Sequence, residues 1–133
     1  MGNNVPSLRD IAYICLYTSD LRESVRFYRD VLGLEPTAPD ADIDTIGFYS
    51  FNTGTGRLGI EGNGVKQDRM KTVAENPVIL QFKAESREHL EAMNQHLAAN
   101  GVTLYNRSTE TSYGIITNFC DPDGNKLEIL YEG

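Results

Sequence analysis

The chain has 133 residues, of which 40% are hydrophobic and 23% charged, and its formal net charge is −7. A chain of this length is expected to form one globular domain, and its negative charge without a basic run argues against a nucleic-acid partner. No apolar segment approaches the ~20 residues of a membrane span, and residues 1–10 lack the charged and apolar regions of a signal peptide. We therefore expect a cytoplasmic protein that does not contact a membrane.

The first half of the chain predicts a strand, a helix and three further strands, in that order. Residues 13–20 have the alternation typical of a strand, and Asp20 with Glu23 matches a capping box at the start of a helix. An apolar stripe at helical spacing continues to Gly33, where the helix is expected to end. Strands are then predicted at residues 34–37, 45–52 and 57–62, and residues 37–44 are predicted to form a loop.

The second half repeats this order of elements. Residues 79–86 align with residues 13–20 at an offset of 66 positions, and Ser86 is placed to cap a helix that ends at Gly101. Further strands are predicted at residues 102–108, 113–120 and 126–131, the last preceded by an Asp-Pro-Asp-Gly turn at 121–124. The chain therefore predicts one α+β domain, residues 1–133, made of two βαβββ modules at about residues 8–62 and 77–132 with a connector at 63–76.

One face of each predicted sheet is left uncovered by its helix. Alternation along the strands assigns a mixture of aromatic, charged and apolar residues to this open face. Such a mixture is typical of a small-molecule pocket, provided that the sheets curl into a cup. The predicted catalytic acids on this face are Glu61 and Glu128, and the predicted ligand-binding residues are Tyr13, Cys15, Tyr17, Arg57, Ile79, Gln81, Lys83, Lys126 and Leu130.

Two stretches of the sequence carry a family resemblance. Residues 19–36, SDLRESVRFYRDVLGLEP, and residues 119–132, FCDPDGNKLEILYE, resemble the signature stretches of the vicinal oxygen chelate superfamily. That superfamily includes glyoxalase I, bleomycin-resistance proteins, fosfomycin-modifying thiol transferases and extradiol dioxygenases. The resemblance implies paired βαβββ modules that form a curved, cup-shaped mixed sheet with helices on the convex face, often in a dimer, with the active site inside the cup.

The resemblance also implies four positions for metal ligands. Carried over to this chain, they are Tyr13, Glu61, Ile79 and Glu128. Ile79 has no ligating atom, and Tyr13 would have to lose a phenolic proton with an ordinary pKa near 10. We therefore predict no metal site and no cofactor, or at most weak binding of a hard divalent cation by the two carboxylates. The two histidines are expected on the second helix, away from the cup, which argues against an iron dioxygenase that needs two of them.

Without a metal, the two predicted acids suggest acid–base chemistry. Two carboxyl groups that face one enclosed space disfavour joint ionisation, so one of them can hold a proton while the other acts as a base. Such a pair is suited to moving a proton next to a carbonyl group. The alternative is a structural network, in which Arg57, Lys83 and Lys126 pair with Glu61 and Glu128.

Tyrosines offer a second kind of candidate site. Tyr13 and Tyr17 are predicted on the open face, where they could stack against a flat ligand. Tyr49 and Tyr113 have weaker support because bulges change the facing of strand residues. The alternative for any of them is ordinary packing within a sheet.

Three functional hypotheses follow. The leading one is a small-molecule-binding protein of the glyoxalase and bleomycin-resistance type with a degenerate metal site, which sequesters a ligand or performs metal-free acid–base chemistry. The second is a metal-dependent lyase or isomerase with an oxygen-rich site at Tyr13, Glu61 and Glu128. The third is a module that acts only in dimerisation or another interaction. A homodimer is expected from the resemblance, and Cys15 and Cys120 are expected to be reduced.

Overall fold

The computed structural model describes residues 6–54, 56–62 and 78–133, which form two similar modules. The predicted connector at 63–76 lies outside the described residues. This architecture confirms the predicted α+β fold with two βαβββ modules. In chain order the first module contains β1 (Ile14–Tyr17), α1 (Leu21–Arg26) continuing as a π-helical segment (Phe27–Val31), β2 (Glu35–Pro36), α2 (Ile43–Ile46), β3 (Phe48–Asn52) and β4 (Arg57–Glu61). The second contains β5 (Ile79–Lys83), α3 (Arg87–Ala99), β6 (Tyr105–Thr111), β7 (Gly114–Cys120) and β8 (Lys126–Tyr131).

Each module forms a four-stranded mixed sheet. The strand order is β1-β4-β3-β2 in the first sheet and β5-β8-β7-β6 in the second. In both modules the first strand pairs in parallel with the last, and the remaining pairs are antiparallel. The first strand of each module, β1 or β5, therefore lies at an edge of its sheet.

The two principal helices begin where their capping residues predict. The Asp20 side chain accepts a hydrogen bond of 3.2 Å from the backbone N–H of Glu23, and Ser86 accepts one of 3.0 Å from that of His89. These bonds satisfy backbone donors that the first turn of a helix leaves unpaired. Gly33 and Gly101, beyond the helix ends, have φ values of 73° and 79°, which glycine adopts without strain.

Two predicted strands differ from the structure by three residues at one end or both. Residues 45–46 were assigned to a strand but belong to α2, because the Asp42 side chain accepts hydrogen bonds from the Asp44 backbone N–H and the Thr45 hydroxyl and so starts a helical turn. The strand predicted at 102–108 begins only at Tyr105 and continues to Thr111. The predicted loop at 37–44 therefore ends in a short helix.

The buried apolar residues of both modules form one continuous core. It includes Val25 of α1, Phe51 and Leu58 of the first sheet, and Phe119 and Leu127 of the second, each 5% exposed or less. Ile14 alternates with the open-face residues Tyr13 and Cys15, so alternation directs it to the core side, but it is 44% exposed on the edge strand β1. Within the described residues, no helix has the length and apolar character needed to span a membrane.

A polar cluster connects the two modules beside this core. The Tyr28 hydroxyl donates a hydrogen bond of 2.6 Å to Asp121, and the Asp123 carboxylate accepts hydrogen bonds from the hydroxyls of Thr18, Ser19 and Ser24. Burial raises the pKa of the Asp121 carboxyl above its ordinary value, and burial together with the Asp121 charge raises the pKa of the Tyr28 hydroxyl. The predicted turn at 121–124 therefore also holds the first helix in place.

Candidate functional site

The centre of the second sheet's open face holds a buried carboxylate. Glu128 lies on β8 between Gln81 on β5 and Asn118 on β7, each its direct register partner. Its side chain is only 5% exposed. The Gln81 amide donates a hydrogen bond of 2.5 Å to Oε1 of Glu128, and the Asn118 amide donates one of 2.8 Å to Oε2. Both carboxylate oxygens are thus held by neutral side-chain amides, which fixes the orientation of the acid.

A further amide supports this arrangement from the edge strand β6. The Asn106 amide donates a hydrogen bond of 3.0 Å to Oδ1 of Asn118, which leaves the Asn118 amide directed at Glu128. Asn106 has a φ of 50°, an uncommon conformation for a residue other than glycine. Sequence reasoning missed Asn106 and Asn118. Alternation along β7 would have placed Asn118 on the open face. The facing of Asn106 was not predictable in this way, because the register of β6 is irregular between Tyr105 and Thr109.

The open face of the first sheet carries an aromatic and cationic cluster. The Arg57 guanidinium lies 4.1 Å from the centre of the Tyr13 ring and donates a hydrogen bond of 3.0 Å to the Tyr13 hydroxyl. The Tyr13 and Phe48 rings meet edge to face, with their centres 6.1 Å apart. Gly59 lies against Phe48 and Cys15, since a Cβ atom at position 59 would come within 2.7 Å of the Phe48 ring and 3.1 Å of the Cys15 Sγ. Phe48 was not among the predicted residues.

Glu61 lies on the same sheet as this cluster. It is half-buried, and its register partners are Tyr17 on β1 and Phe48 on β3. Glu61 and Glu128 therefore stand on the open faces of two different sheets. Their convergence in one cup stays a prediction.

The other predicted ligand-binding residues occupy several environments. Leu130 is buried on the open face, 7% exposed, whereas Ile79 and Tyr17 are 43% and 49% exposed on the edge strands. Lys126 is half-buried and pairs in register with Ile79, and Lys83 lies exposed at the end of β5. Two tyrosines outside that set differ: Tyr49, 4% exposed, packs in the core and not on the open face, while Tyr113 is 54% exposed in the turn before β7.

Both cysteines are free thiols. Cys15 is exposed on β1, and Cys120 is half-buried at the end of β7. Burial, followed by the nearby Asp121 charge, raises the pKa of the Cys120 thiol and so disfavours its nucleophilic form.

Comparison with known proteins identifies the family. The profile of the Glyoxalase/Bleomycin resistance protein/Dioxygenase superfamily matches residues 10–129. The chain belongs to this superfamily. A comparison with curated proteins gives no significant match.

Solved structures of the superfamily share the fold. A glyoxylase/bleomycin resistance protein/dioxygenase domain from Frankia sp. EAN1pec is 24% identical, with a TM-score of 0.75 over 96% of this chain and 94% of that one. A glyoxalase/dioxygenase from Nostoc punctiforme is 21% identical, with a TM-score of 0.73 over 100% of this chain and 99% of that one. At this level of identity, the likeness concerns the fold.

The residues at the superfamily's metal positions do not fit a divalent metal. Ile79 offers no donor atom, and the Tyr13 hydroxyl and ring lie against the Arg57 cation, which would repel a second cation. Among the residues that the structure describes, no three His, Cys, Asp or Glu side chains are grouped so as to hold a metal ion.

Proposed function

We propose that this superfamily member is a small-molecule-binding protein that works without a metal cofactor and takes an aromatic or carbonyl compound on its open sheet faces. The observation that carries the proposal is Glu128, a carboxylate that is 5% exposed and held only by side-chain amides in the described contacts. Burying a charged group costs free energy unless its hydrogen bonds are satisfied. A carboxylate kept in place by Gln81 and Asn118 is suited to accept a hydrogen bond from a ligand.

The first sheet supports the same proposal with different chemistry. Tyr13 and Phe48 present aromatic edges and faces, and Tyr13 is 36% exposed. Aromatic rings of this kind contact flat ligands through stacking or edge-to-face packing. Arg57 fixes the Tyr13 ring from one side, so less side-chain freedom is lost when a ligand binds.

A homodimer would bring the open face of the first sheet in one copy next to the open face of the second sheet in the other. Ile14 and Tyr17 on β1 and Ile79 on β5 are each more than 40% exposed, and both strands are sheet edges. Exposed apolar side chains on an edge strand favour association with another chain. We propose that two copies meet through these edges and that Glu61 of one copy and Glu128 of the other face a shared cup.

Acid–base chemistry is a second candidate function, favoured by the fixed orientation of Glu128. In a shared cup, one of the two carboxyl groups would take a proton from carbon next to a ligand carbonyl, and the other would donate a proton to the carbonyl oxygen. Both steps use only carboxyl groups of the chain. Exchange of the α-hydrogens of a bound carbonyl compound with deuterium, followed by proton NMR, tests this chemistry.

A thermal-shift screen with aromatic and carbonyl compounds tests the binding function. A ligand at 100 times its dissociation constant adds about 2.7 kcal/mol to the unfolding free energy. We expect hits whose stabilisation is lost in Glu128→Gln and kept in Glu132→Gln, which removes an exposed acid from the end of the chain. A screen without hits would contradict the proposal and favour a module that acts only in dimerisation or another interaction.

Calorimetry with Ni²⁺, Mn²⁺ and Zn²⁺ separates the binder from a metal-dependent lyase or isomerase. We expect no binding at micromolar affinity, which corresponds to about 8 kcal/mol and requires several good ligands. Micromolar binding that Glu128→Ala abolishes would overturn the metal-free proposal. Weak millimolar binding of Mn²⁺ is compatible with two carboxylates and water.

A further inference from the structure

A cavity of about 420 Å³ lies between the two modules, on the side of the sheets opposite the open faces. We name it the junction cavity. Its volume is within the range of small-molecule sites, roughly 300–1,000 Å³. The apolar part of its wall combines residues that follow α1 with residues of the second module: Leu32, Leu34, Phe82, Met93, Phe119 and Ile129.

The junction cavity is distinct from the site proposed above. Phe119 and Ile129 belong to the buried core, and Phe82 packs against it. Because side chains alternate along a strand, Ile129 projects from the opposite face of β8 to Glu128. A molecule in the cavity would therefore contact neither Glu128 nor its amide partner Gln81.

Four polar residues line the rim of the junction cavity: Thr53, Lys83, Glu85 and His89. Lys83 pairs in register with Leu130 of the open face, but it is the last residue of β5 and also lines the cavity. The backbone N–H of Glu85 donates a hydrogen bond of 3.1 Å to Nδ1 of His89. Since Nδ1 accepts this bond, the proton of the neutral imidazole is on Nε2, which is then a donor. Lys83 lies exposed at the end of β5 and forms no ion pair with the described acids.

The polar groups at the rim favour a ligand whose terminal group accepts hydrogen bonds. The Lys83 ammonium and the His89 Nε2–H are donors, and the Thr53 hydroxyl is able to donate as well. Among the described residues that line the cavity, Glu85 alone has a carboxylate, and it is exposed, so it can orient toward solvent. A carboxylate forms a charge-assisted hydrogen bond with an ammonium group, which is stronger than a bond between neutral partners.

We propose that the junction cavity binds an apolar monocarboxylate, with its aromatic or branched body against the apolar wall and its carboxylate at Lys83 and His89. The ligand contacts residues of both modules, so its binding stabilises their packing. This is a second binding site, which shares only Lys83, the last residue of β5, with the residues predicted for the open face.

Calorimetry with 2-naphthoate and its uncharged analogue 2-naphthamide tests the proposal. We expect Lys83→Gln to weaken 2-naphthoate binding about tenfold, with little effect on 2-naphthamide. The matched control is Arg107→Gln, which removes an exposed cation of the same sheet that does not line the cavity, and it is expected to leave both affinities unchanged. Equal losses in the Lys83 and Arg107 variants, or no binding of 2-naphthoate at millimolar concentration, would overturn the proposal.

The position of the bound probe is tested separately. Met93→Trp fills the cavity and is expected to abolish binding of both compounds. In the unmodified protein, nuclear Overhauser effects are expected between the naphthalene ring and the methyl groups of Met93, Leu34 and Ile129, a result that does not depend on any variant folding. Contacts to Ile79 and Leu130 instead would place the probe on the open face, refuting the junction cavity while leaving the open-face function supported.

Discussion

The hydroxyl of Tyr28 donates a hydrogen bond of 2.6 Å to the carboxylate of Asp121, joining the first helix to the turn that precedes the last strand. Tyr28 is fully buried and Asp121 is 6% exposed. The two residues are 93 positions apart in the sequence, so this bond forms only when the modules pack together. It is the basis of two predictions.

Tyr28→Phe keeps the ring in the core but removes the donor. A buried acceptor that loses its donor costs about 1–3 kcal/mol, so we expect the free energy of unfolding to fall by that amount. Urea denaturation followed by circular dichroism measures the change. Tyr113→Phe is the control, because Tyr113 is 54% exposed, and its effect is expected to be within about 0.5 kcal/mol. Similar losses for both variants would show that the Tyr28 bond has no special role.

The pH dependence of stability tests the environment of Asp121. Because its folded pKa is raised, the folded state holds this proton to a higher pH than the unfolded state, whose pKa is near 3.9. The contribution of Asp121 to stability is fully present below that unfolded value and is lost as the pH rises through the raised one. We expect the difference in unfolding free energy between the wild-type protein and Asp121→Asn to decrease as the pH rises above the unfolded pKa.

Asp30→Asn is a control of opposite sign. Arg29 lowers the pKa of Asp30, so the contribution of Asp30 is present above the unfolded pKa and is lost as the pH falls. The effect is expected to be small because the pair is exposed to solvent. A wild-type advantage over Asp121→Asn that grows with pH would contradict the raised pKa.

Gln81→Leu tests the support of the buried acid. The substitution removes the donor to Oε1 of Glu128, and a poorly exposed carboxylate oxygen is left without that partner. We expect a loss of about 1–3 kcal/mol in the unfolding free energy. Gln95→Leu on the exposed surface of α3 is the matched control and is expected to be nearly neutral. A neutral Gln81→Leu would mean that water or another group replaces the amide at no cost.

Gly59→Ala tests the packing of the aromatic cluster. A Cβ atom at this position would lie 2.7 Å from the Phe48 ring, so the ring, which also contacts Tyr13, must shift. Overpacking of this kind costs about 1–3 kcal/mol. Gly56→Ala is the control, since its Cβ would lie at an ordinary 3.6 Å from the Thr53 hydroxyl. Thermal and urea unfolding of both variants measure the difference, and equal stability would contradict the tight contact at Gly59.

Local patterns predicted much of the fold. The caps at Asp20 and Ser86 and the turn at residues 121–124 depend on hydrogen bonds between residues three positions apart. Such bonds are predictable from the local sequence. The strand at 126–131 was predicted with its correct bounds. The boundary at Ile46 was missed because capping by Asp42 outweighed the strand preference of the residues that follow.

The candidate site was predicted less completely, because it depends on neighbours across strands. Alternation placed Glu128 and Gln81 on one face, but only the register shows that they are direct partners, and that Tyr17 rather than Tyr13 pairs with Glu61. Asn118 and Phe48 reach the site from strands whose facing had not been assigned. The junction cavity depends on packing between modules, which no pattern within one module encodes.

The irregular register of β6 places Asn106 and Ser108 on opposite faces of the second sheet. Asn106 reaches the amide that holds Glu128, while Ser108, with a φ of 48°, accepts a hydrogen bond of 2.8 Å from the buried Asn94 of α3. Regular alternation would send residues 106 and 108 to the same side; the irregularity separates them. Asn94 of α3 and the amide that holds Glu128 are therefore connected through two residues of a single strand, Asn106 and Ser108, although they lie on opposite faces of the sheet.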